Sequence, residues 1–373
     1  MVFKMKIIII KIGIFCLNII YSFLKLFKTQ HKITFISRQS NSVSLDFQML
    51  ADEFKRKDKT IKIVMLPKML NNKVSYFFHM FRQMYHIATS KVVILDSYCI
   101  PICILKHKKS LKVMQIWHAI GCMKKFGYAM LDKEEGHSTV IAKTMKMHQN
   151  YDYCFISSLS FKKDFIEGFN ITEDKIIEIP LPRVDVLLDK KYKEQKRQEL
   201  YKRIPALKKK KNILYCGTFR KDENMSNENI KRLINEIDFS KYNLLYKPHP
   251  FNKITTDDPR VIKDFESSLE ASMVADYVIC DYSSMIYEVG LLNIPIYIYA
   301  YDWDEYKHKR ELNFDMEHEI PTLFTKDPKE IMKKIEKNDF DHKKFQEFTY
   351  KNVTLPKKRS CTEEMVAFIS KYL

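Results

Sequence analysis

Short apolar runs alternate with amphipathic stretches along most of the chain, and the alternation predicts repeated strand–helix units. Residues 32–37 read as a strand, and residues 46–57 as a helix with Phe47, Leu50, Ala51 and Phe54 on one face. Strands follow at 61–66, 91–96, 110–117, 153–157 and 176–179, with helices at 74–89 and 158–169 between them. A second set of strands falls at 212–216, 242–246, 277–280 and 294–299, the last interrupted early by Pro295. Residues 328–337, 342–352 and 359–373 read as helices. The aromatic and Met stripe of residues 76–85 is expected to be core.

Strands separated by helices predict βαβ units around parallel sheets. Two such sets predict an α/β, GT-B-like architecture, with two Rossmann-type domains facing a cleft that holds the ligand. The expected boundaries are a membrane-associating segment 1–28, an acceptor-side domain 29–190, a basic linker 191–211, a donor-nucleotide domain 212–345 and a C-terminal helical segment 346–373. Pro180–Arg183 breaks the pattern near the end of the first set.

Charge sharpens this reading. The 373-residue chain carries +18, and residues 1–45 hold seven Lys or Arg and no acid. Residues 12–24 form an uncharged apolar run between lysines. Thirteen residues are short for a span of roughly 20, so the segment is expected to lie on an anionic leaflet. No recognition motif interleaves basic and aromatic residues, so nucleic acid is not expected as a partner. Eight scattered cysteines without a CxxC pair suggest neither zinc nor a redox dithiol.

Chemistry gathers at the ends of the apolar runs. Trp117-His118 and Gly121 follow one, Gly217-Thr218-Phe219-Arg220 a second, Lys247-Pro248-His249-Pro250 a third, and Asp281-Tyr282-Ser283-Ser284 a fourth. The carboxyl edge of a parallel sheet is where ligands bind, and Lys, Arg, His and hydroxyls suit a phosphorylated one. No dinucleotide fingerprint or P-loop occurs, so no cofactor is expected. Asp302-Trp303-Asp304 matches a metal-binding DxD pattern, but no metal site is expected there.

These four motifs, in this order and with the segment from Tyr301 to Arg310, resemble the CDP-glycerol glycerophosphotransferase family over roughly residues 30–350. Two departures occur: Trp-His-Ala stands where many members have Trp-His-Gly, and Arg310-Glu311 where Arg-Gly is usual. The resemblance implies transfer of glycerol phosphate from CDP-glycerol to a hydroxyl of a lipid-linked polyol-phosphate acceptor, with release of CMP, in teichoic-acid-like polymer synthesis. Such an enzyme is a phosphotransferase for substituted phosphate groups, placed peripherally on the cytoplasmic face of the cell membrane. His118 is the expected general base and His249 its counterpart toward the diphosphate, with the two roles exchangeable. Thr218, Arg220, Ser283 and Ser284 are expected phosphate ligands, and Lys247 adds charge. Glu288 is a candidate for the ribose hydroxyls, Asp281 for orienting a basic residue or its turn, and Arg310 for further substrate contact. A CDP-ribitol donor, a sugar-nucleotide glycosyltransferase and a basic anion-binding protein remain as alternative functions.

Overall fold

The computed structural model describes residues 2–218, 220, 222–248 and 256–373. Six strands form the first sheet: β1 (Lys32–Ser37), β2 (Lys62–Pro67), β3 (Val92–Leu95), β4 (Lys112–Gln115), β5 (Tyr153–Ile156) and β6 (Ile176–Glu178). Six form the second: β7 (Lys211–Cys216), β8 (Tyr242–Tyr246), β9 (Val261–Ile262), β10 (Tyr277–Cys280), β11 (Ile296–Tyr299) and β12 (Phe324–Thr325). All strand pairings among the described residues are parallel. The orders are β2-β1-β3-β4-β5-β6 and β12-β11-β10-β7-β8-β9. Strand order reverses between β1 and β3 in the first sheet and between β7 and β10 in the second. A ligand crevice in an open α/β sheet opens beyond the carboxyl ends of the strands at such a point.

The predicted α/β class and parallel sheets are observed, but the expected boundaries shift. One compact unit comprises residues 1–183 with 354–373, and the other residues 184–353. The C-terminal segment therefore returns to the first unit. Its helix Cys361–Ile369 starts with a capping box from Ser360 and Glu363 and buries Met365, Val366 and Ile369 on the side that packs against α2 (Leu45–Lys57). The expected linker is mostly the helix Lys190–Arg203, capped by Asp189. Arg203 pairs with Glu270 at 3.1 Å, and Leu200 is buried, which fastens this helix to the second unit.

Two further differences concern the first unit. The N-terminal segment is one continuous helix, α1 (Val2–Leu24), which incorporates Lys6 and Lys11 instead of ending at them. Its stretch Lys4–Leu24 has mean hydropathy 2.3, is largely unburied, and is long and apolar enough to cross a membrane by length and composition. The expectation of a stretch too short to cross fails because a helix tolerates a charged turn inside an apolar run. The end of α1 is docked on protein: Asn18 donates to the Ile104 carbonyl at 3.1 Å, and the Tyr21 hydroxyl lies 2.9 Å from His107 Nδ1.

The aromatic stripe is the second difference. Helix α3 (Lys73–Thr89) buries Tyr76, Met80, Met84 and Ile87, spaced at helical period. Phe77, Phe78 and Tyr85 lie on the other side and are exposed, so only half of the stripe is core.

Candidate functional site

In the first unit the site is built where β1, β3 and β4 end. Trp117, two residues past β4, adopts φ 64°, the left-handed region that bulky side chains avoid. Such strain costs of order 1–3 kcal/mol and persists only where packing fixes it. Here Trp117 lies against Phe126 (4.5 Å between ring centroids), Phe169 (5.4 Å) and Phe165 (5.8 Å). The reversal places His118 against the end of β3, where its Nδ1 is 3.1 Å from the Asp96 carbonyl. A carbonyl only accepts, so Nδ1 carries the proton and Nε2 presents its lone pair. Burial pushes His118 down to about 4, and Arg183 adds to the shift.

Asp96 is buried, with Oδ1 unpartnered. Burial pushes its carboxyl up to about 6, against hydrogen bonds from Ser37 and Ser97. Ser97 Oγ also accepts from the Arg38 amide at 3.0 Å, which ties the ends of β1 and β3 together. Sequence reasoning missed Asp96, Ser37 and Ser97. The order reversal that makes them neighbours is a pairing fact, and no local pattern carries it.

In the second unit the site lies at the ends of β7 and β10. Arg220 is the centre of a buried network. Its Nε donates to Asp302 Oδ2 at 2.6 Å and its Nη2 to Asp281 Oδ2 at 3.0 Å and Asp302 Oδ1 at 3.2 Å. Thr218 donates its amide to Asp281 Oδ1 at 2.9 Å and its hydroxyl to Oδ2 at 2.9 Å. The Tyr282 hydroxyl donates to Asp302 Oδ1 at 3.0 Å. The guanidinium also lies 4.6 Å from the Tyr306 ring centre, and Tyr306 and Tyr282 stand 4.0 Å apart.

The expected site residues of this unit that the structure describes are placed as follows. Asp281 accepts from both Thr218 and Arg220. Arg220 and Thr218, expected as phosphate ligands, spend these groups on two carboxylates. Asp302 is enclosed by Arg220 and Tyr282, while Asp304 is exposed and pairs with Lys326 and Lys307, so the DxD carboxylates have separate partners. Ser283 and Ser284 are half-buried beyond β10. Ser283 Oγ accepts from the Met285 amide at 3.3 Å, whereas Ser284, the N-cap of helix Met285–Leu291, makes no side-chain capping bond. Glu288 is buried within that helix. Lys247 donates its ammonium to the Phe265 carbonyl. Arg310 is the C-cap of helix Trp303–Lys309. His249 lies outside the described residues.

Two units, each built on a parallel six-stranded sheet with polar groups at its carboxyl edge, define the GT-B-like structural class. Solved structures support the fold: the wall teichoic acid polymerase TagF superposes with a TM-score of 0.76 at 18% identity, covering 100% of this chain and 98% of that one. The chain belongs to the CDP-glycerol:poly(glycerophosphate) glycerophosphotransferase family, whose sequence profile matches residues 19–370. It is 29% identical over 364 residues to a teichoic acid ribitol-phosphate primase of Bacillus spizizenii, covering 93% of each chain. It is 31% identical over 280 residues to a teichoic acid glycerol-phosphate primase of Bacillus subtilis, covering 73% of this chain and 71% of that one.

Proposed function

We propose that this chain transfers glycerol phosphate from CDP-glycerol to a hydroxyl of a lipid-linked polyol-phosphate acceptor at the cytoplasmic face of the membrane. The acceptor oxygen bonds to the glycerol-bearing phosphorus, the bond from that phosphorus to the bridging oxygen breaks, and CMP leaves with the electron pair. His118 Nε2 takes the acceptor proton. The observation that carries this reading is the Nδ1–H bond to the Asp96 carbonyl, which fixes the tautomer a general base needs. His118 is neutral at pH 7, and a bound phosphate raises its basicity by adding negative charge nearby.

Ser283, Ser284 and Lys247 serve the donor phosphates in this reading, with His249 facing the diphosphate. Arg220 and Thr218 act one step back, by holding Asp281. Glu288 and Arg310 contact the nucleotide or polyol. Apolar α1 and the acid-free N-terminal stretch hold the protein on the membrane that carries its acceptor.

A second donor is favoured by one observation: the ribitol-phosphate primase aligns over 93% of this chain, the glycerol-phosphate primase over 73%. CDP-ribitol is therefore the alternative substrate. The deciding experiment measures CMP release from CDP-glycerol and CDP-ribitol with a lipid acceptor mimic, with and without EDTA. Turnover of one donor in chelator supports the proposal. Release of CMP from neither donor refutes it, and activity that EDTA abolishes and Mg²⁺ restores overturns the expectation that the Asp302-Trp303-Asp304 segment holds no metal.

A further inference from the structure

Helix α3 has an unpartnered apolar face. Val74 and Phe78 are each 68% exposed, Phe77 49% and Tyr85 36%. Large apolar side chains exposed together on one helix mark a docking surface. This face adjoins α1, whose Ile8, Ile9, Ile12 and Phe15 are also exposed: the two helices pack together, and Phe27, just past α1, meets the Tyr85 ring at 5.7 Å.

Between α3 and the edge strand β2 lies a hollow of about 430 Å³. Leu66, Pro67 and Phe78 line its apolar side, and Lys68, His79 and Arg82 its polar side. Residues 59–95, which build both walls, contain no Asp or Glu. Burial, with Arg82 and Lys68 beside it, holds His79 below the ordinary imidazole range, and its Nε2 is buried without a partner. The hollow thus joins fixed positive charge to an exposed aromatic rim.

We propose that this hollow binds the phosphate of an anionic membrane-lipid headgroup while Phe77 and Phe78 enter the acyl region beside it. Charge complementarity selects the occupant: an apolar protein partner would leave Lys68 and Arg82 desolvated, whereas a phosphate diester satisfies both. The long exposed apolar helix α1 alongside makes a bilayer the surface that covers both helices at once. The inference rests on the membrane attachment proposed above and deepens it, since α1 then supplies anchorage and α3 lipid selectivity.

The test is partitioning of the full-length protein onto vesicles of phosphatidylcholine with or without phosphatidylglycerol. The Lys68→Ala/Arg82→Ala variant should lose roughly tenfold or more of its partition coefficient on anionic vesicles and keep it on neutral ones. Phe77→Ser/Phe78→Ser should weaken both. Lys190→Ala/Lys191→Ala removes the same charge from the second unit and should change neither. Equal losses in both charge variants would mean diffuse attraction and overturn the headgroup site, as would unchanged partitioning of Lys68→Ala/Arg82→Ala. Saturable binding of inorganic phosphate, abolished by Lys68→Ala/Arg82→Ala, with no difference between the two vesicle types would assign the hollow to a free anion. A wild-type dimer that Phe77→Ser/Phe78→Ser converts to monomer would make the face a self-interface. Wild-type protein that binds no vesicle would refute the attachment itself. CMP release with a soluble acceptor reads the transferase assignment separately and should be unaffected by Lys68→Ala/Arg82→Ala.

Discussion

Arg183 donates to the backbone carbonyl of His118 at 3.3 Å, across 65 positions of chain. The same guanidinium donates through Nε to Asp46 Oδ2 at 2.8 Å, and the Arg183 amide donates to Oδ1 at 2.9 Å. Asp46, in the first turn of α2, is buried. The loop that carries the proposed base is thus held by a mostly buried ion pair from two distant elements.

Replacing His118 by Ala should reduce transfer by roughly 10²–10⁴-fold with the fold retained. Asp46→Asn should act through position: it keeps the side-chain shape but turns one of the two acceptor oxygens into a donor and removes the charge that holds Arg183. The expected result is a fall in kcat with little change in donor KM, and a loss of roughly 3 kcal/mol or more in urea unfolding. Wild-type-like turnover in folded His118→Ala would remove the base assignment.

Arg220 balances two carboxylates, so Arg220→Ala should destabilise the second unit by about 3–5 kcal/mol. Tyr282→Phe removes only one hydrogen bond to Asp302 and should cost about 1–2 kcal/mol. Denaturant midpoints of the two variants check the ranking. Equal costs would mean that the network is not the support inferred here.

Protonation offers a test of the first unit. Burial pushes His118 and His86 down to about 4 and His148 to about 3. Below about pH 6.5 the unfolded chain takes up protons that these folded imidazoles refuse, so their contribution is lost as pH falls toward 4. Burial also pushes Asp96 and Asp164 up to about 6, and their folded carboxyls take up protons in part of the same window. Three imidazoles against two carboxyls leave a net loss, with a slope of about 1.4 kcal/mol per pH unit for each net proton. Unfolding midpoints at pH 7, 6 and 5 should decline, and NMR should show His118 untitrated over that range. His318, in the second unit and raised by its hydrogen bond to Asp315, should titrate before His118, His86 and His148.

Gly290 has a packing role. A Cβ there would stand 2.1 Å from Thr349 Oγ1, in the contact between helices Met285–Leu291 and His342–Asn352. Gly290→Ala should therefore lower stability by roughly 1–3 kcal/mol despite the better helix former. Gly290→Ala combined with Thr349→Ala should recover part of the loss, which a double-mutant cycle measures.

Helix α1 should keep the protein in the membrane fraction, and removal of residues 1–28 should release it. Extraction distinguishes its two arrangements. Release by carbonate or high salt is expected of a helix lying in the interface, and retention in both of a spanning one.

The sequence alone determined the class of fold, because strand and helix periods are local and the two alternating sets are written in apolar spacing. Four motifs at strand ends, in order, likewise carried the family. Tertiary structure decided what those residues touch. Arg220 reads as a free cation in its motif, yet Asp281 and Asp302, 61 and 82 positions away, occupy it. Asp96 reads as an ordinary strand end until the order β2-β1-β3 puts it beside Ser37 and under His118. The return of residues 354–373 to the first unit was equally invisible, since an apolar helical stripe does not name the surface it will cover. Periodicity fixes which side of an element is buried; the partner is chosen by long-range packing, which depends on every other element at once.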